Sequence, residues 1–207
     1  MILEFEWYSD KSQESFQVDP CNRSAFLWLS SPQFWHGRQT LLVGPRYSGK
    51  THLSTIWGNL NQASKLTENT ELKPNTPLLV DEIEEHEEDL LLDVSNRCEN
   101  LGVAVLWCTN KHPDIYNLFT NDLRTRLRSM ITFEIGEPSE DLFKKIIKKR
   151  CTDIGLDINQ DCIEYVSQYL ELTYLAINNF IIKLNLVCLK KQRQPSICLI
   201  NEIIKRD

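Results

Sequence analysis

The chain alternates short apolar runs with longer segments whose apolar residues recur at helical spacing. Four runs predict buried strands, because each is short, nearly continuous in apolar residues and flanked by polar or turn-forming residues. These runs cover residues 40–43, 77–81, 103–107 and 131–135, and a fifth, very short strand is expected at Lys65–Leu66. Segments with helical spacing separate them, at residues 22–29, 51–61 and 82–99. Strands that alternate with helices predict an α/β fold with a parallel sheet covered on both faces.

The pattern changes after the turn at residues 136–138. Beyond it, apolar residues recur at helical spacing in the segments 142–147, 163–170, 180–189 and 200–204. The second part of the chain is therefore predicted to be a small all-helical domain. We expect three parts in total, namely an N-terminal segment 1–15, an α/β core 16–136 and a helical domain 137–207.

Composition and charge limit the classes of function. With 207 residues, 42% of them hydrophobic, the chain is long and apolar enough to bury a core. No apolar run approaches the roughly 18 residues that span a bilayer, and the acidic start lacks a basic signal region, so a cytoplasmic protein without membrane contact is expected. A net charge of −6 argues against direct nucleic acid binding. Seven cysteines without C-x-x-C spacing indicate neither a disulfide framework nor a zinc site.

One motif stands between the first predicted strand and the helix after it. Residues 44–51 fit G-x-x-x-x-G-K-T, and they are Gly44, Pro45, Arg46, Tyr47, Ser48, Gly49, Lys50 and Thr51. The glycines let backbone N–H groups turn toward a polyphosphate, and the following helix directs its positive end at the same anion. Lys50 is predicted to reach the outer phosphates and Thr51 to ligate Mg²⁺. The motif therefore predicts a nucleotide site.

Polar residues follow two other predicted strands, at the edge where the carboxyl ends of parallel strands meet. Asp81 ends the second strand, so its carboxylate can hold the water shell of Mg²⁺, and Glu82 can activate an attacking water. Asn110 follows the third strand and can position that water. Two alternatives stay open: the second strand merely runs into an acidic helix, and Asn110 merely starts a loop. The acids from Glu84 to Asp89 are interpreted as a solvated helix face.

Three arginines precede the fourth predicted strand at alternating positions, Arg124, Arg126 and Arg128. Crowded positive charges are costly unless an anion or an acid neutralises them. An arginine offered to the phosphates of a neighbouring molecule stabilises transition-state charge strongly, which makes this cluster a candidate catalytic element. The alternative is a basic, solvated helix end.

In this order, the motifs resemble the AAA+ ATPase domain of the DnaA and Hda group, the bacterial replication initiator and its regulators. The resemblance covers nearly the whole chain, from about Phe16 to the end. It is carried by Phe16-Gln17-Val18 with Asn22, by Gly49-Lys50-Thr51-His52-Leu53, by Ile56-Trp57, by Asp122-Leu123-Arg124-Thr125-Arg126-Leu127 and by residues 134–141. It implies a P-loop AAA+ core with a reduced parallel sheet, because the stretch after the P-loop helix is short, followed by a helical lid at 137–207.

The resemblance also implies which residues bind the cofactor, which is ATP or ADP with Mg²⁺. Phe16 and Val18 would line the adenine pocket. His52 belongs to the matched nucleotide-binding segment. Lys50 and Thr51 would hold the nucleotide and the metal ion.

For catalysis, the resemblance implies that Asp81 and Glu82 are the Walker B pair, with Asp81 joining Thr51 at the metal. Asn110 would be sensor 1. Arg126 would be an arginine finger that acts on the ATP of a neighbouring molecule.

Three departures from the group bear on function. The chain stops after the lid without a helix-turn-helix domain, which favours a regulator over the initiator itself. No arginine or lysine occurs between Arg150 and Lys183, where a sensor 2 arginine is expected near Leu172, so the chain's own ATP hydrolysis is expected to be weak. The start carries Leu3 and Phe5 but lacks the glutamine of the group's clamp-docking peptide, which leaves the N-terminal segment a candidate docking peptide.

The expected function is a nucleotide-binding, Hda-like regulator that promotes ATP hydrolysis by the initiator DnaA. Its expected partners are DnaA, the sliding clamp and further copies of the chain. Two alternatives remain: a self-assembling AAA+ ATPase, and an interaction module that bound nucleotide stabilises without catalysis.

Overall fold

The computed structural model describes residues 11–31, 38–67, 70–115 and 120–205. These residues form two compact units. The α/β unit lies within residues 20–136 and contains every strand of the described part of the chain. The helical unit combines the helices of residues 137–205 with residues 11–19. Residues 16–19, which the sequence places in the α/β core, thus group with the helices.

The α/β unit contains a five-stranded, fully parallel sheet with the strand order β2-β3-β4-β1-β5. Its strands are β1 Gln39–Val43, β2 Ser64–Lys65, β3 Leu78–Val80, β4 Val105–Thr109 and β5 Ile131–Glu134. The predicted parallel sheet is confirmed, and β2 is as short as expected. β2 lies one residue earlier in the chain than predicted, and β4 lies two residues later. Because all strands are parallel, the carboxyl ends of the neighbours β3, β4 and β1 meet at one edge of the sheet.

Four helices cover the two faces of this sheet. They are α1 Arg23–Leu29, α2 Lys50–Asn61, α3 Glu88–Leu101 and α4 Asn121–Ser129. Successive strand residues point to opposite faces, and Leu41 and Trp107 pack into a buried cluster with side chains of α3 and α4. Cys108 points to the opposite face, where the Ser54 side chain of α2 lies beside its thiol.

The segment after β3 differs from the predicted helix 82–99. Glu82 has a φ of 49°, a left-handed conformation that an α-helix of L-residues does not continue through. The chain therefore makes a short 3₁₀ turn at Ile83–Glu85, and α3 begins only at Glu88. Ile83 is fully buried and anchors this turn in the core.

The helical unit contains four α-helices among its described residues, and each begins at a capping side chain. They are α5 Glu140–Asp153, α6 Gln160–Tyr169, α7 Tyr174–Lys191 and α8 Ile197–Ile204. The side chains of Ser139, Asn159, Thr173 and Ser196 accept hydrogen bonds from first-turn N–H groups, which have no partner within the helix. The apolar faces of all four helices meet in one core. Within the described part of the chain, no helix is both long and apolar enough to cross a bilayer.

All seven cysteines are free thiols, and their reactivity should follow their burial. Burial raises the pKa of Cys98 to about 11 and that of Cys151 to about 12, whereas Cys198 is exposed. Because the thiolate is the reactive form, we expect iodoacetamide at about pH 8 to alkylate Cys198 first and to leave Cys151 unmodified. Peptide mass spectrometry measures the extent of alkylation at Cys198 and at Cys151, and denatured protein, in which both thiols are accessible, is the control. Equal alkylation rates for Cys151 and Cys198 in the folded protein would contradict this burial.

Candidate functional site

The predicted phosphate-binding loop joins β1 to α2 at the carboxyl edge of the sheet. Its backbone is tied to the sheet, because the Gly44 N–H donates to the Thr109 carbonyl at 3.1 Å. Gly49 has a φ of 94° and precedes α2 without a side-chain capping bond, and the first turn of α2 contains no acid. The N–H groups of that turn can therefore donate to an anion, with the positive end of the helix dipole behind them.

Gly44 directly follows the last residue of β1, Val43. A Cβ atom at this position would be 2.9 Å from the Ser48 hydroxyl oxygen and 3.0 Å from the Ile135 Cβ, so the observed path accommodates only glycine. The Ser48 hydroxyl itself is buried and has no hydrogen-bond partner among the described residues. An unsatisfied donor in a glycine-rich turn suits a phosphate oxygen.

Lys50 is the buried cation of the site, with only 6% of its surface exposed. Its Nζ donates to the Gly44 carbonyl at 2.8 Å, the Pro45 carbonyl at 3.0 Å and Asn110 Oδ1 at 2.9 Å. Burial lowers the pKa of Lys50, and nearby acids including Glu84 oppose that shift. The ammonium group therefore links the loop directly to the residue that follows β4.

The acidic side of the site comes from the end of β3. Asp81 is buried, and its Oδ1 has no hydrogen-bond partner among the described residues. Its Oδ2 lies 4.0 Å from Lys65 Nζ. Thr51, next to Lys50, is exposed. A buried carboxylate oxygen without a donor is the kind of hard ligand that Mg²⁺ and its water shell require, so these residues fit that ion.

Glu82 follows Asp81 and is exposed. Desolvation raises the pKa of Glu82, and repulsion from the neighbouring carboxylates of Glu85, Asp81 and Glu84 adds to the shift. A raised pKa makes a carboxylate a better proton acceptor near neutral pH. The sequence-predicted base therefore lies in an environment that suits that role.

Glu84 differs from its predicted place on a solvated helix face. It lies half-buried in the 3₁₀ turn, and its Oε1 accepts hydrogen bonds from the Thr109 hydroxyl at 2.8 Å and the Asn110 N–H at 2.5 Å. The interpretation was wrong for this residue because the left-handed Glu82 redirects the chain after β3. The sequence indicated a special role for Glu84 only by its position just after Asp81 and Glu82. The run of further acids after it made Glu84 look like part of a solvated helix face.

The other residues predicted to bind nucleotide lie in different places. Arg46 and Tyr47 are exposed in the loop, and His52 is half-buried in α2. Phe16 is buried and Val18 is 43% exposed, and both belong to the helical unit. Their role at the adenine stays a prediction.

The arginine cluster lies in α4, and acids neutralise the charges of two of its members, Arg126 and Arg128. Arg126 Nη1 donates to Glu99 Oε2 at 2.7 Å and to the Ser95 hydroxyl at 3.3 Å. Arg128 forms an ion pair with Asp114. The described structure thus places Arg126 against α3, as an ion pair at the surface.

Leu172, the position where a sensor 2 arginine is expected, is 39% exposed and directly precedes the cap of α7. Residues 1–10, with the candidate docking residues Leu3 and Phe5, lie outside the described residues.

These elements form the AAA+ P-loop fold, an α/β core followed by a small all-helical domain, as the sequence predicts. The structure is similar to domain III of the replication initiation protein DnaA from Thermotoga maritima, with a TM-score of 0.75, 17% identity, and coverage of 95% of this chain and 96% of that one. It is also similar to AMPPCP-bound DnaA from Aquifex aeolicus, with a TM-score of 0.65, 18% identity, and coverage of 89% and 68%. No protein-family model matches the chain.

The sequence is similar to the chromosomal replication initiator protein DnaA of Nautilia profundicola. The two are 25% identical over 206 residues, which covers 83% of this chain and 47% of the initiator. The chain therefore spans about half the length of that relative. The predicted resemblance to DnaA is confirmed in sequence and in fold.

Proposed function

We propose that the chain binds ATP or ADP with Mg²⁺ in the loop 44–51. The observation that carries this proposal is the convergence of three groups at one edge of the sheet: the Lys50 ammonium, the unpaired Asp81 carboxylate oxygen and Asn110. The AMPPCP-bound DnaA from Aquifex aeolicus, which has the same fold, supports it.

In this proposal the loop amides and Lys50 bind the phosphates, and Thr51 and Asp81 hold Mg²⁺. The bound ion would neutralise phosphate charge and orient the outer oxygens. Glu82 accepts a proton from the attacking water, which its raised pKa favours, and Asn110 positions that water. Because no basic residue occurs from 151 to 182, we propose that turnover by the chain alone is weak.

We further propose a regulatory role, in which the chain assembles with a DnaA-type initiator and presents Arg126 to the initiator's ATP. Arg126 and Glu99 are 29% and 67% exposed, and an ion pair at that exposure contributes about 1 kcal/mol or less. The pair can therefore be exchanged for a phosphate of a neighbouring molecule. Further copies of the chain are a second proposed partner for the same surface.

The sliding clamp remains a proposed partner of the N-terminal segment 1–15. Binding of purified clamp by the chain with and without residues 1–7 tests this contact. Equal binding, or none, in both would remove it.

The basic residues of α5 support action through a protein partner instead of nucleic acid. Lys144 pairs with Glu140 and Glu164, and Lys149 donates to the Ser15 carbonyl at 2.8 Å. Lys144 and Lys149 are thus engaged in contacts within the chain, and the chain has a net charge of −6. Binding to a nucleic acid backbone depends on many lysine and arginine side chains that are available to phosphates, so these facts favour a protein partner.

Calorimetry with ATP and with ADP at millimolar Mg²⁺ tests the nucleotide site. We expect saturable heat with at least one of the two, and nucleotide released from the purified protein on denaturation. A chain that gives no heat and carries no nucleotide would overturn the proposal.

A further inference from the structure

One half-buried acid at the carboxyl edge, Glu84, has no contact assigned to it in the nucleotide site proposed above. We propose that Glu84 is a positioning residue that fixes Asn110 for contact with the terminal phosphate, and so sets the preference for a nucleoside triphosphate over a diphosphate. This inference rests on the proposed nucleotide site.

The backbone conformation after β3 places the Glu84 side chain in contact with the end of β4. The left-handed Glu82 turns the chain, and the fully buried Ile83 anchors the 3₁₀ turn that carries Glu84. The carboxylate then accepts from the hydroxyl of Thr109 and the backbone N–H of Asn110 through one oxygen. Hydrogen bonds to an ionised acceptor are stronger than neutral ones, so this contact restricts the end of β4 tightly.

Thr109 and Asn110 connect this contact to the phosphate-binding loop. The Thr109 carbonyl accepts the Gly44 N–H, while Asn110 Oδ1 accepts from Lys50 Nζ. Glu84 therefore holds a short chain of hydrogen bonds that spans the ends of β3, β4 and β1. A shift of the Asn110 backbone would move its side chain relative to the Lys50 ammonium.

The position of the Asn110 amide explains why the effect should depend on the nucleotide. Oδ1 is bonded to Lys50, and among the described residues no acceptor bonds the two N–H donors of the amide, so they can donate to a ligand. A terminal phosphate oxygen is such an acceptor, and a diphosphate lacks it. Glu84 carries a negative charge and would repel a phosphate, so it acts through Asn110 and not by contact.

The experiment measures dissociation constants for AMPPCP and for ADP in Mg²⁺ and compares their ratio among variants. We expect Glu84→Ala to lower the preference for AMPPCP over ADP by about tenfold, and Glu84→Gln to lower it less, because the amide retains an acceptor oxygen. The control is Glu85→Ala, which removes an exposed acid from the same turn and should leave the ratio within about twofold.

A double-mutant cycle tests whether Glu84 acts through Asn110. Asn110→Ala should lower the preference on its own, and adding Glu84→Ala should lower it no further. An unchanged ratio in both Glu84 variants, or losses that add in the double variant, would overturn the inference and leave the proposed nucleotide site intact. A wild-type chain that binds neither AMPPCP nor ADP would overturn both this inference and the proposed nucleotide site.

Discussion

Replacement of Arg126 by alanine should lower the stimulation of ATP hydrolysis by a DnaA-type initiator about 10³-fold or more, which is the usual cost of removing an arginine finger. The guanidinium carries a permanent charge on a planar set of donors, so it stabilises charge that develops on a transferred phosphoryl group. In the free chain this group is bonded to Glu99 at 2.7 Å, and the exchange of that exposed pair for a phosphate costs little. Phosphate release from ATP-loaded initiator, with wild-type or variant chain added, measures the effect.

Two matched variants separate this role from a general loss of basic charge. Arg128→Ala removes an exposed arginine of the same helix that is paired with Asp114, and it should leave stimulation within about threefold. Glu99→Ala releases Arg126 from its ion pair and should preserve or raise stimulation. Unchanged stimulation by Arg126→Ala, or equal losses in Arg126→Ala and Arg128→Ala, would exclude Arg126 as the finger.

The sheet and the phosphate-binding loop could be predicted because their signals are local. The central strand β4 is buried throughout, and β1 is buried from Thr40 to Val43, so their apolar residues are consecutive in the sequence. The loop residues 44–51 are likewise adjacent, and their glycines meet requirements of the backbone itself, such as the φ of 94° at Gly49.

The partners of the polar residues could not be predicted, because they come from distant parts of the chain. Lys50 and Asn110 are 60 residues apart, Glu84 and Asn110 are 26 apart, and Arg126 and Glu99 are 27 apart. Their contacts depend on strand order and on the turn at Glu82, and a left-handed glutamate has no reliable sequence signal. The pattern of acids after β3 therefore resembled an ordinary solvated helix.

Replacement of Lys50 by alanine should raise the dissociation constants for ATP and ADP about 100-fold or more. A charged hydrogen bond contributes about 1.5–3 kcal/mol, and each 1.4 kcal/mol is about tenfold in affinity, so loss of two such bonds to phosphate gives this change. The substitution also leaves the carbonyls of Gly44 and Pro45 without their cation, which loosens the loop that must enclose the phosphates. Calorimetry in Mg²⁺ measures the affinities.

The control for Lys50→Ala is Lys73→Ala, which removes a lysine that is exposed and lies outside the loop. Both variants lose one positive charge, so a general electrostatic effect on an anionic nucleotide would weaken binding equally in the two. We expect Lys73→Ala to bind within about twofold of wild type, since a solvent-exposed charge is screened. Thermal unfolding of Lys50→Ala shows whether the α/β unit persists. A folded Lys50→Ala chain that binds nucleotide as tightly as Lys73→Ala would show that the loop 44–51 is not the nucleotide site, and the roles proposed for Asp81, Glu84 and Asn110 would fail with it.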